Sequence, residues 1–142
     1  MISLQEKDVR VLICDDVKPN ESAILTEEVK RQYQRCGQPL YYVAIVPENA
    51  PLPDTVARKE MSDGLRACQE FFKYAAIVFC GTGMKASVKR AAFAGMLMII
   101  MKGKWHVGSS IEELIRKAQG DLRLVNQLHL VSKLAAERGY RT

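Results

Sequence analysis

Two short stretches concentrate the residue types that do chemistry. "VRVLICDD", residues 9–16, ends a hydrophobic run in Asp15-Asp16, a carboxylate pair suited to holding a divalent cation. "CGTGMKASVKR", residues 80–90, passes through Gly81-Thr82-Gly83 into Lys85, Lys89 and Arg90. A glycine turn that opens a helix gathers free backbone amides at the positive end of the helix dipole, which suits an anion or a nucleotide phosphate. Cys80 stands just before that turn, where a helix start lowers a thiol pKa, and His106 or His129 would have to serve as its base.

Each stretch also has a plainer reading. Without a second set of oxygen ligands, Asp15 and Asp16 hold magnesium only weakly and become the polar end of a strand leading into Val17-Lys18-Pro19-Asn20. The G-x-G lacks the rest of a dinucleotide or P-loop pattern, and a tight β–α turn needs glycine for its backbone angles alone. The four cysteines (Cys14, Cys36, Cys68 and Cys80) contain no C-x-x-C pair, and neither histidine stands at ligand-like spacing to them. Buried thiols in a reducing compartment account for Cys14, Cys68 and Cys80. No paired carboxylates, serine triad or metal cluster makes a positive case for an enzyme, and no cofactor is expected.

The bulk numbers narrow the class. The chain has 142 residues, 48% hydrophobic and 26% charged, which fits one globular domain with a real core. Its net charge of +5 is spread along the chain, as on a solvated surface rather than a nucleic-acid footprint. No apolar run reaches the roughly 18 residues that span a membrane. Gln5-Glu6-Lys7-Asp8 follows Met1–Leu4 where a signal peptide would carry its apolar region. A cytoplasmic location is expected, with no membrane span and no nucleic acid.

The elements that must position these residues follow from periodicity. Ile2–Leu4 and Val9–Cys14 read as two strands. Asn20 then caps a helix to about Cys36, with Leu25, Val29 and Tyr33 on its inner face and Gly37 at its end. Leu40–Val46 and Ala75–Cys80 are near-continuous apolar runs, as strands buried on both faces require. Between them Asp54 caps an amphipathic helix carrying Met61, Leu65, Cys68 and Phe72. After the glycine turn a third helix carries Met84, Val88, Ala91 and Gly95, a stripe of mostly small residues that would let it lie close to a sheet. Leu97–Met101 is expected as a further strand, which Trp105–Val107 could extend or replace. Ser110-Ile111-Glu112-Glu113 is a capping box, and Ile111, Leu114, Ile115 and Ala118 are expected to be buried on its short helix. Gly120 ends it, and Asp121 starts a last helix to about Arg138 with Leu124, Leu128, Val131 and Ala135 on one face. The order β-β-α-β-α-β-α-β-α-α predicts an α/β fold with a mixed, mainly parallel sheet.

An acidic pair at a strand end resembles the start of response-regulator receiver domains. Those place a phosphate-accepting aspartate after the third strand, whereas here Pro47-Glu48-Asn49 and Gly81-Thr82-Gly83 follow the strands. A better likeness covers most of the chain. The opening hairpin, the alternating elements, "YYVAIVPENAPLPDTVARKEM", "FCGTGMKASVKRAAFAGM" and the closing "VGSSIEELI" resemble the STAS domain of sulfate transporters and anti-sigma factor antagonists. The resemblance implies a bacterial, non-enzymatic module that acts by binding another protein. It also implies a phosphorylatable serine at the helix start after the third strand; only Thr55, beside Asp54, offers a hydroxyl there. The resemblance places a STAS-like unit at residues 1–120 and a helical extension at 121–142. That extension is more apolar than one narrow stripe requires, so it is expected to pack on the domain or at a homodimer interface.

Overall fold

The computed structural model describes residues 1–51, 53–101, 105–118 and 120–142. Leu52 of the proline-rich loop and Lys102–Lys104 ahead of Trp105 lie outside the described residues. Five strands, β1 (Ile2–Glu6), β2 (Val9–Ile13), β3 (Leu40–Val46), β4 (Phe72–Phe79) and β5 (Trp105–Gly108), form one sheet in sequence order. β1 is antiparallel to β2 and every other pair is parallel. The helices are α1 (Glu21–Cys36), α2 (Thr55–Cys68), α3 (Met84–Ile100), α4 (Ile111–Lys117) and α5 (Leu122–Glu137), with a 3-10 turn at Gln69–Phe71. The chain is a single α/β domain with a mixed, mainly parallel sheet.

The layers follow from the strand order. Each parallel step moves the same way across the sheet, so right-handed crossovers put α1, α2 and α3 on one face. That face buries Leu12, Ala44, Ile77 and Phe79 under Val29, Leu65, Cys68 and Leu97. The alternate residues Val11, Ile13, Val43, Ile45 and Val78 point to the other face, where α4 and α5 cover them with Ile111, Leu114, Leu124, Leu128 and Val131. Both faces being dry is why β2, β3 and β4 read as unbroken apolar runs.

Caps hold the helix starts, with two departures from expectation. Asp54 Oδ1 accepts from the Ala57 amide at 2.8 Å, and Asp121 Oδ1 from the Leu124 amide at 3.2 Å. Gly37 ends α1 at φ 70°, its amide donating to Tyr33 O. Asn20 stands at the start of α1 but is left-handed (φ 74°) and makes no side-chain cap. In the capping box Ser110 Oγ accepts from the Glu113 amide, but Glu113 returns its bond to the amide and hydroxyl of Ser109.

The third crossover differs most from the sequence reading. Leu97–Met101 is not a strand: α3 runs on to Ile100, and Trp105–Gly108 supplies β5. Leu97 and Ile100 are buried while Met98 and Ile99 are 68% and 77% exposed, a helical rather than an alternating pattern. Phe72, expected on α2, opens β4 instead.

Candidate functional site

The glycine turn and α3 form the region where most of the candidate residues meet. Gly81 has φ +119°, a conformation that favours glycine, and a Cβ there would come to 3.0 Å from Cγ of the half-exposed Glu48 side chain, which would have to shift. Gly83 is ordinary extended backbone with open space around it. Arg90 reaches back from α3, donating from Nη1 to Phe79 O (2.8 Å) and Gly81 O (3.0 Å) and from Nη2 to Ser87 Oγ. Its guanidinium is therefore committed to holding the turn rather than free for an anion. Thr82 and Lys85 are exposed and Lys89 is half-buried.

Cys80 lies buried at the end of β4, its thiol donating to Thr142 O at 3.4 Å. Burial, with the Glu48 carboxylate adding to it, pushes the thiol up to about 12. Such a thiol stays protonated and is no nucleophile at neutral pH. His129 is exposed on α5. His106 belongs to a separate cluster, with Nε2 at 3.3 Å from Glu113 Oε1 and Nδ1 at 3.4 Å from Lys117 Nζ. Burial and then the Lys117 charge lower the pKa of His106, favouring the neutral ring. Thr55 is exposed at the first turn of α2, where its hydroxyl accepts from Arg58 Nη2 at 3.4 Å.

The two aspartates have separate tasks. Asp15 is buried, with Oδ1 at 2.8 Å from the Met1 amine and Oδ2 accepting from the Tyr140 hydroxyl at 3.2 Å. Burial works to raise its pKa, but the amine outweighs this and holds the carboxyl below its usual value. Asp16 is exposed and pairs with Lys18. Among the described residues no group of three or more acidic, histidine or cysteine side chains could hold a metal ion.

The feature that the sequence reading misplaced is the outer face of α3. Met84, Val88, Ala91 and Gly95 do not touch the sheet: Met84 is 84% and Val88 63% exposed, and Ala91 and Gly95 are exposed too. The inner face is Phe93, Leu97 and Ile100, with the Phe93 ring tilted against Phe79 at 4.7 Å between centroids. With Met98, the exposed residues run at spacings of 4, 3, 4 and 3, the seam of a helix pair. α3 carries Lys85, Lys89 and Arg90 and no acidic residue. The 3.6-residue period was legible in the sequence; which of its two apolar faces meets the sheet was not.

Two buried charged residues were missed altogether. Arg10 on β2 donates to Gln32 Oε1 (2.8 Å), Ser3 Oγ (2.7 Å), Gln5 Oε1 (2.7 Å) and Glu28 Oε2 (3.1 Å). Asp8, fully buried in the β1–β2 turn, pairs with Lys73 and Arg123. Both are braces at the opposite end of the sheet from the glycine turn.

No family model, curated protein or solved structure matches the chain. Among the described residues no helix is long and apolar enough to cross a membrane.

Proposed function

We propose that the chain is a non-enzymatic, STAS-like regulatory module of the bacterial cytoplasm that docks a partner protein along the outer face of α3. One observation carries this reading: an apolar seam of Met84, Val88, Ala91, Gly95 and Met98 lies uncovered on a helix whose other face is already in the core. Contiguous apolar surface of this kind marks an interaction site. Ala91 and Gly95 leave room for a second backbone to come close, and the seam spacing fits a helix. Lys85 and Lys89 flank it without acidic neighbours on α3, so the matching partner helix is acidic. A second copy of α3 would set the same cations against each other.

The test is capture of a partner by the full chain and by Met84→Glu and Val88→Glu variants. Both substitutions sit at solvent-facing positions, so the fold should persist while capture falls at least tenfold and weakens with salt. Capture unaffected by either variant would end this reading.

A second reading, an anion or nucleotide site at Gly81-Thr82-Gly83, has one observation in its favour. Gly83 opens α3 without a side-chain cap, leaving the first-turn amides to other acceptors. Loss of function in Lys85→Ala with the fold intact would favour it.

A further inference from the structure

A cavity of about 250 Å³ lies between the first face of the sheet and the three helices that cover it. Its walls are apolar, with Leu12, Val29, Ala44, Leu65, Ile77 and Phe79 among them. α2 leans on α1, where Gly64 lets the two come so close that a Cβ would meet Thr26 Oγ1 at 2.9 Å. The exposed lining residues, Arg58 of α2 and Val88 and Ala92 of α3, place the mouth between those two helices. Arg58 and Lys89 carry the only charged side chains among the lining residues; the amine of Met1, which also lines it, is paired with Asp15, whereas neither Arg58 nor Lys89 forms an ion pair among the described residues.

We propose that this cavity binds a single-chain amphiphilic anion, its acyl chain in the apolar interior and its carboxylate between Arg58 and Lys89. An apolar chain is favoured over a polar ligand because the walls offer almost nothing to hydrogen-bond. An anionic head is favoured because both charges at the rim are positive and uncompensated. Size sets the length. An apolar cavity of about 150 Å³ holds the six carbons of benzene, so this one holds roughly ten. The site goes beyond the docking face of α3, sharing with it Val88 and the flanking Lys89, while Met84, Ala91, Gly95 and Met98 do not line it.

Calorimetric titration of decanoate and of decanol into the full chain tests the assignment, with Ala92→Trp and Arg58→Gln/Lys89→Gln as variants. Decanoate should bind one-to-one and about tenfold tighter than decanol, because only its head makes charge-assisted bonds. The double variant should bind the two alike. Ala92→Trp, placed at the exposed mouth, should block both; should it disturb the fold, the double variant decides alone. No saturable decanoate binding up to about 1 mM, equal affinity for decanoate and decanol in the unaltered chain, or an unchanged preference in the double variant would overturn the proposal. So would binding to phosphatidylglycerol vesicles without binding of monomeric decanoate. Met84→Glu should leave decanoate binding unchanged, which separates this site from partner docking.

Discussion

Asp8 joins three elements at one carboxylate: the β1–β2 turn that carries it, Lys73 near the start of β4, and Arg123 in the first turn of α5. Burial works to raise its pKa, but Lys73 above all, with Arg123, outweighs this and holds the carboxyl below the usual aspartate range. A depressed folded pKa stabilises above the unfolded value, about 3.9, and the contribution is lost as pH falls through the lowered folded value. Asp8→Asn should therefore destabilise the fold at pH 7, by roughly 1–2 kcal/mol because Lys73 and Arg123 keep contact with solvent, and flatten the loss of stability below pH ~4, both read by urea melts across pH. An acid limb unchanged in the variant would place that titration elsewhere. None of this was legible in the sequence, because Lys73 and Arg123 stand far along the chain and become neighbours only when β4 and α5 are in place. Arg10 was hidden for the same reason. A charge inside "VRVLI" is a signal that partners must exist, but the strand alone does not name Gln32 or Glu28.

At the scale of elements, the turn before α3 and the cover provided by α5 make separate predictions. A glycine with a positive φ was legible in "CGTGM", but not which glycine; it is Gly81 that turns left-handed (φ +119°), while Gly83 is extended. Gly81→Ala should destabilise by about 1–2 kcal/mol, whereas Gly83→Ala should be nearly neutral, as thermal melts will read. Equal effects would contradict the assignment. The order of elements was legible because strands and helices here have unmixed periodicities. The end of α3 was not, since Leu97–Met101 is equally apolar whether it alternates or winds. α5 is no loose addition: Leu124, Leu128, Val131 and Ala135 cover the second face of the sheet. The apolar surplus that favoured a homodimer is thereby reduced to exposed Leu122 and Leu130. Ending the chain at Gly120 should expose Val11, Ile13, Val43 and Ile45 and abolish cooperative unfolding. A folded, truncated protein by circular dichroism and light scattering would show that α5 is dispensable and return it to an interface role.

For the whole molecule, two exposed liabilities lie on the same side. An apolar cavity of about 250 Å³ opens between the helices of the first face. Beside it, α3 turns Met84, Val88, Met98 and Ile99 to water. The opposite layer has its apolar stripe buried, so α3 is where the fold departs from ordinary covering of its core. Docking on α3 is open to direct capture by a photo-crosslinking side chain placed at Ala91 and, as a control, at His129 on α5. Irradiated with its native lysate at low salt, the Ala91 protein should give one discrete adduct that added salt and the Val88→Glu change both suppress, while the His129 protein gives none. Adducts at His129 and not at Ala91, or an Ala91 adduct indifferent to Val88→Glu, would contradict the claim.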